Sequence, residues 1–141
     1  MMLQPRRALS QDYDLLGVLN KQLIEDEGHR NPMNASQLQD RMLGWLVGEY
    51  KAVIFDNETE VVAYALYREE PELIYLRQFF VQRHYRRRGY GKLAMELLRK
   101  NIWPANKRLT VEVLSSNQRS LAFFRSIGFR YYSVALEILP T

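Results

Sequence analysis

A basic segment with two glycines, residues 83–92, holds the residues of this chain that are best suited to chemistry. Its sequence is RHYRRRGYGK, with five basic residues and no acidic residue. An apolar run precedes it and leucines at helical spacing follow it, so it is predicted to join a strand to the start of a helix. A helix start offers unpaired N–H groups and partial positive charge, and glycine lets an anion approach the backbone closely. The pattern R-x-x-G-x-G at Arg86, Gly89 and Gly91 therefore predicts a site for a pyrophosphate group.

Other ligands for this segment fit less well. A P-loop needs Ser or Thr after its lysine, whereas Lys92 is followed by Leu93, and a dinucleotide fingerprint needs a third glycine after Gly91. A nucleic acid is a further anionic partner to consider, because the net charge of the chain is +4. The basic patch is short and no nucleic-acid motif accompanies it, so no nucleic-acid partner is expected.

The elements that must position this segment follow from hydrophobic periodicity. Helical spacing near the N-terminus gives way to alternation in the middle of the chain and then to helix, strand and helix again. The predicted order, β-α-α-β-β-β-α-β-α-β, implies an α/β (α+β) fold with a mixed, mostly antiparallel sheet and helices on both faces. The predicted elements are strand 3–9, helices 10–27 and 36–48, strands 51–55, 61–67 and 73–81, helix 89–102, strand 109–114, helix 117–127, and one or two closing strands within 129–139.

Two motifs in this order resemble those of the GCN5-related N-acetyltransferases (GNAT). The first is the strand, basic glycine loop and helix of VQRHYRRRGYGKL. The second is a strand, an asparagine, a helix and a closing Gly-Phe, here LTVEVLSSNQRSLAFFRSIGF. Asn117, Gly128 and Phe129 stand at the motif positions, and the resemblance extends from about Leu3 to Leu139.

The resemblance implies that acetyl-CoA is the co-substrate and that no metal takes part. Acetyl-CoA would bind where the fourth and fifth strands of the family fold separate. An amine would attack its thioester directly, without a covalent acyl-enzyme. The backbone of the fourth strand would hold the pantetheine, the loop amides would hold the pyrophosphate, and Asn117 would lie beside the pantetheine arm. The implied cofactor-binding residues are Phe79, Phe80, Val81, Arg86, Arg87, Arg88, Gly89, Tyr90, Gly91, Lys92, Asn117 and Phe124.

The family pattern is broken at Phe124. Many members carry a tyrosine there, which protonates the departing thiolate, and phenylalanine has no proton to give. Three interpretations stay open: the thiolate leaves unaided, another hydroxyl serves, or the chain is a catalytically weak acetyl-CoA-binding module or partner-dependent subunit.

The general base is not identified by the pattern either. Tyr75 stands where some members carry a glutamate, and Glu112 on the fifth strand is a second candidate. Period-2 geometry sends Tyr75, Arg77 and Phe79 to one face of their strand, which makes Arg77 a candidate for the substrate side.

The acceptor side is suggested by the acidic segment IEDEGHRNP, residues 24–32. The resemblance implies that this loop borders the acceptor, so Glu27 could attract a cationic amine and His29 could accept its proton. The acceptor could be a small-molecule or peptidyl amine. A structural role, as a helix end with solvated charges, stays open for these residues.

Composition narrows the class of protein. There is no cysteine, so disulfides and a cysteine nucleophile are excluded, and no run approaches the length of a membrane span. The N-terminus lacks the apolar core of a secretory signal, which favours the cytoplasm and no membrane partner. A length of 141 residues suits one domain, residues 1–141. The aromatic C-terminal segment could belong to the core or to a homodimer contact.

Overall fold

The structure is a computed structural model and describes residues 2–28 and 30–141. Its helices and strands follow the predicted order up to the last helix. Three short helical turns lie between them, at Ser10–Asp12, Arg83–Tyr85 and Leu98–Ile102. The elements are β1 (Gln4–Arg7), α1 (Tyr13–Glu27), α2 (Ala35–Val47), β2 (Tyr50–Asp56), β3 (Val61–Glu69), β4 (Leu73–Val81), α3 (Tyr90–Leu97), β5 (Arg108–Val111) and α4 (Gln118–Ser126).

The five strands of the described chain form one sheet in the order β1-β2-β3-β4-β5. The first four strands are antiparallel, and β5 joins β4 in parallel through a helical crossover. The prediction of a mixed, mostly antiparallel sheet with helices on both faces is therefore confirmed.

Two hydrophobic cores lie on opposite faces of this sheet. One packs α1 and α2 against residues such as Ile54, Tyr64 and Phe80. The other packs α3, α4 and Trp103 against residues such as Phe55. The face covered by α1 and α2 is called the α1/α2 face below, and the other is called the α3/α4 face.

Local signals set the helix ends. The side chain of Asn34 accepts a 2.9 Å hydrogen bond from the Gln37 backbone, and the Gln37 side chain accepts one from the Asn34 backbone, which fixes the start of α2. Gly28 ends α1 with a φ of 67°, a conformation that glycine adopts without steric cost. None of the helices in the described residues is long and apolar enough to cross a membrane.

The closing strand predicted within 129–139 is not present. Residues 130–141 are exposed and have no secondary structure, and their alternating apolar side chains face solvent. Side-chain contacts hold the segment instead: Arg125 and Arg108 lie over the rings of Tyr131 and Tyr132, and Arg30 pairs with Glu137. A strand requires a partner for its backbone N–H and C=O groups, and in the described chain β5 pairs only with β4.

Candidate active site

The site begins where β4 and β5 separate. Their last paired residues are Leu76 and Val111, and β4 then continues to Val81 without a partner on that side. A bulge lies at the same place, because Leu66 of β3 pairs with Gln78 while Tyr67 pairs with Leu76. Arg77 is thus the first residue of β4 beyond the last β5 pair and is also bulged out of the β3 ladder.

A cleft of about 510 Å³ opens from this separation toward the basic loop. It is bordered by β4, the loop, the start of α3, α4 and the C-terminal end of α1. Ten of the twelve residues predicted to bind the cofactor line it: Phe79, Phe80, Val81, Arg86, Arg87, Gly89, Tyr90, Gly91, Lys92 and Phe124. Arg88 is exposed instead, near the ring of Tyr85, and Asn117 lines an adjoining cavity.

The loop has the backbone of an anion site. Arg87 and Gly89 have positive φ angles of 63° and 85°, and Gly89 directly precedes α3. Left-handed residues in such a loop create concave sets of N–H donors, and α3 adds the positive end of its dipole. Arg87, Lys92 and Arg119 border the same cleft and add positive charge.

Arg86 is held in place by an acidic residue that the sequence did not assign to the loop. Its guanidinium donates to the carbonyl of Val81 at 2.8 Å and to Asp26 at 2.7 Å, and Arg83 pairs with the same carboxylate. The Asp26 side chain is only 8% exposed. Burial raises the pKa of Asp26, but the hydrogen bonds from Arg83 and Arg86 outweigh it and hold that pKa below its usual range. Asp26 therefore ties α1 to the loop.

Asn117 presents a free donor at the start of α4. Its Oδ1 accepts a hydrogen bond from the Ser120 backbone at 3.2 Å and caps the helix. Its Nδ2 is buried and has no hydrogen-bond partner in the described chain. A buried amide without a partner costs free energy, so a carbonyl oxygen from a ligand would fit there.

Comparisons with known proteins agree with this geometry. The model of the acetyltransferase (GNAT) family matches residues 19–129. The chain belongs to the GNAT family. The GNAT-type acetyltransferase predicted from the two motifs is thereby confirmed at the level of the family.

Solved structures share the fold over nearly the whole length of both chains. One is a possible acetyltransferase from Clostridium difficile 630, at 19% identity over 99% of this chain and 100% of the other, with a TM-score of 0.76. A second is a predicted acetyltransferase with acetyl-CoA from Clostridium acetobutylicum (16%, 98% and 96%, TM-score 0.74). A third is AAC(6′)-Iy in complex with a bisubstrate analogue, CoA-S-monomethyl-acetylneamine (14%, 100% and 99%, TM-score 0.77). No curated protein sequence matches the chain.

The position at which many GNAT enzymes carry tyrosine is part of a hydrophobic wall here. Phe124 is buried against three other rings, those of Phe79, Phe123 and Phe129. Phe123 stacks on Phe79 with ring centroids 5.8 Å apart, and a Cβ at Gly91 would lie only 3.0 Å from Phe123. Gly91 thus lets α3 approach α4, a role that its place in the loop pattern did not reveal.

The structure brings the two candidate catalytic residues together. The Tyr75 hydroxyl donates to a Glu112 carboxylate oxygen at 3.4 Å, across the end of the β4–β5 pairing. Burial and the nearby Glu112 charge raise the pKa of Tyr75, so its hydroxyl keeps its proton at neutral pH. Tyr75 is half-buried and Glu112 is exposed.

The prediction that Tyr75, Arg77 and Phe79 share one face is wrong. The bulge at Arg77 breaks the period-2 alternation. Tyr75 and Arg77 therefore lie on the α1/α2 face, whereas Phe79 packs on the α3/α4 face. Arg77 is exposed and contacts Trp45 and Tyr50.

The two acceptor candidates from the acidic segment have different outcomes. Glu27 lines the cleft together with the basic loop, near the end predicted to bind pyrophosphate. His29 lies outside the described residues.

Proposed function

We propose that this chain transfers the acetyl group of acetyl-CoA to a primary amine by direct attack in a ternary complex, as one domain spanning residues 1–141. The observation that carries the proposal is the combination of the β4–β5 separation with an anion-binding loop at its open end. A long, thin ligand with a phosphate group at one end and a reactive group at the other suits that shape.

The residues of the cleft fit the parts of CoA. Loop N–H groups and the cationic side chains of Arg87 and Lys92 would hold the pyrophosphate. Backbone groups of β4 from Phe79 to Val81, which have no β5 partner, would hold the pantetheine amides. The buried Nδ2 of Asn117 would donate to a pantetheine carbonyl. AAC(6′)-Iy, which has a similar fold, has been solved in complex with CoA, and this supports CoA as the ligand of the cleft.

The reaction depends on the positions of the amine and the thioester and requires no nucleophilic side chain. The neutral amine attacks the thioester carbonyl, a C–N bond forms, the C–S bond breaks and CoA leaves as its thiol. The amine loses one proton and the thiolate gains one. Backbone donors near the separation of β4 and β5 would stabilise the developing oxyanion.

Tyr75 and Glu112 would move these protons. Glu112, an exposed carboxylate at the end of β5, would accept the proton of the amine as general base. Tyr75 holds its proton at neutral pH and would serve as the donor for the thiolate, a role that Phe124 cannot perform.

A calorimetric titration with acetyl-CoA, with ADP as a reference, tests the cofactor, and CoA release over a panel of amines tests the transfer. We expect one acetyl-CoA per chain, bound more tightly than ADP, and release of CoA with at least one amine. No binding by folded protein would overturn the proposal. Binding without turnover would favour the acetyl-CoA-binding module instead.

A further inference from the structure

Two arginines on the α1/α2 face stack on one tryptophan. The guanidinium carbons of Arg41 and Arg77 lie 4.4 and 4.5 Å from the centroid of the Trp45 ring. Arg41 and Trp45 are one helical turn apart on α2, and the bulge in β4 brings Arg77 to the same ring. The structure therefore gathers two positive charges at the point where β4 leaves β5.

Among residues 2–28 and 30–141, neither Arg41 nor Arg77 forms an ion pair. Burial and the charge of Arg77 lower the pKa of Arg41, so the two guanidiniums repel each other. Arg68 nearby differs, because it pairs with Glu70 at 3.0 Å.

Donors at this place also lack acceptors. The Nε of Arg41 is buried without a hydrogen-bond partner in the described chain, and so is the Nδ2 of Asn20, a residue that is 0% exposed. Arg41 donates to Asn20 Oδ1 at 3.2 Å, so the two orphaned donors belong to one cluster. Buried donors without acceptors and like charges without a counterion both cost stability, and an anion bound beside the two guanidiniums would offset the repulsion between them.

We propose that Arg41 and Arg77 form a carboxylate subsite, and that the acetyl acceptor is an amine that also carries a carboxylate group. This inference rests on the proposed transferase function and names the substrate class of that same site. Guanidinium groups match carboxylates through paired N–H donors, and stacking on Trp45 holds both in a fixed orientation. The subsite adjoins the end of the β4–β5 pairing, where Tyr75 and Glu112 would meet the amine.

Matched acceptors test the subsite. The panel consists of ω-amino acids from β-alanine to 6-aminohexanoate, each compared with its primary amide, which has the same shape without the charge. We expect kcat/KM for the best acid to exceed that for its amide by about tenfold, the effect of one charge-assisted contact. Equal rates for acid and amide, or faster rates for the amides, would overturn the proposal.

Variants separate charge recognition from packing. Arg77→Gln should reduce the acid-to-amide ratio to near unity, and Arg77→Lys should retain part of it. Arg99→Gln is the control, because it removes one exposed positive charge from the turn after α3 and should leave the ratio unchanged. A purely structural Arg77 would give a lower melting temperature in Arg77→Gln with an unchanged ratio, and that result would overturn the proposal.

Tryptophan fluorescence measures binding at the subsite without requiring turnover. Trp103 is buried on the opposite face, so a change in emission on adding a ligand reports on Trp45. We expect 6-aminohexanoate, but not its amide, to change the emission of the wild type in a saturable way, and Arg77→Gln to lose the response. If CoA is never released while this response is present, the transferase proposal fails and the subsite stands. If CoA is released but acids give no response and no advantage, the subsite fails alone.

Discussion

Strand β4 contributes side chains to both faces of the sheet, and the residues around it differ in polarity between the two faces. On the α3/α4 face the wall of the cleft is apolar, with Phe79, Phe123 and Phe124 in mutual contact, and positive charge borders it at the loop and at Arg119. On the α1/α2 face the core encloses polar groups: Tyr64 donates to Gln78 at 2.8 Å, and Asn20 is fully buried.

This difference matches two kinds of recognition. The cofactor is the same molecule in every turnover, and it can be held by backbone donors, a helix start and an apolar wall. Fixed side chains with unused donors suit a ligand that must be told apart from similar molecules, because a buried polar group that finds no partner penalises the wrong ligand. We therefore expect affinity for the cofactor to depend mainly on the α3/α4 face and acceptor specificity to depend on the α1/α2 face.

The largest effect is expected from a negative charge in the loop. Gly91→Asp should weaken acetyl-CoA binding by at least about 100-fold, equivalent to about 2.7 kcal/mol, because it sets a carboxylate against the pyrophosphate. Calorimetry measures it. Gly91→Ala is the matched control, because it has the same Cβ contact with Phe123 but no charge. Equal affinities for the two variants would show that sterics, not charge, govern the loop.

Removing the proposed base should slow the reaction without loosening the cofactor. Glu112→Gln should lower kcat by about 100-fold, within the range of general base catalysis, with acetyl-CoA affinity unchanged. Steady-state kinetics with a saturating amine and calorimetry on the same preparation check both parts. Tyr75→Phe is the companion variant. An unchanged kcat in Glu112→Gln would remove this residue from the mechanism, and the α1/α2 face would keep only its binding role.

The loop and the strand–helix order could be predicted from the sequence because they depend on local patterns, whereas the family resemblance implied most of the residues that line the cleft. Prediction from the sequence failed where two distant segments decide the outcome. The bulge at Arg77 depends on the register with β3, so strict alternation misplaced Phe79. Asp26 stands about sixty residues before its partner Arg86, and no local signal links them. The segment after Phe129 has the alternating pattern of a strand, but this pattern does not show whether a neighbouring strand is available to pair with its backbone.

The Asp26 ion pairs join α1 to the basic loop, and their loss should cost stability in a pH-dependent way. Asp26→Asn should lower the free energy of unfolding at neutral pH by about 2 kcal/mol, as expected for hydrogen bonds to a buried charge. The pKa of Asp26 is depressed in the folded chain, so its stabilisation is complete above the unfolded value near 3.9 and is lost as the pH falls through the folded pKa.

Urea denaturation across the acid range checks this prediction. Wild type and Asp26→Asn should differ at neutral pH and converge well below pH 3.9, where Asp26 is protonated in both states. Asp14→Asn is a control on the same helix, because Asp14 is exposed. A constant difference at every pH would show that Asp26 acts through packing rather than charge.

The smallest effect on acetyl-CoA binding is expected from Asn117, and it tests whether the Nδ2 atom of this residue contacts the cofactor. Asn117→Asp keeps an oxygen to cap α4 through the Ser120 N–H but removes the buried Nδ2 donor. Asn117→Ala removes both, so it should also lose about 1 kcal/mol of stability as a lost helix cap. Both variants should bind acetyl-CoA about tenfold more weakly, the loss of one hydrogen bond. If Asn117→Asp keeps wild-type affinity, the orphaned donor does not face the cofactor, and recognition on the α3/α4 face depends on backbone groups and the loop alone.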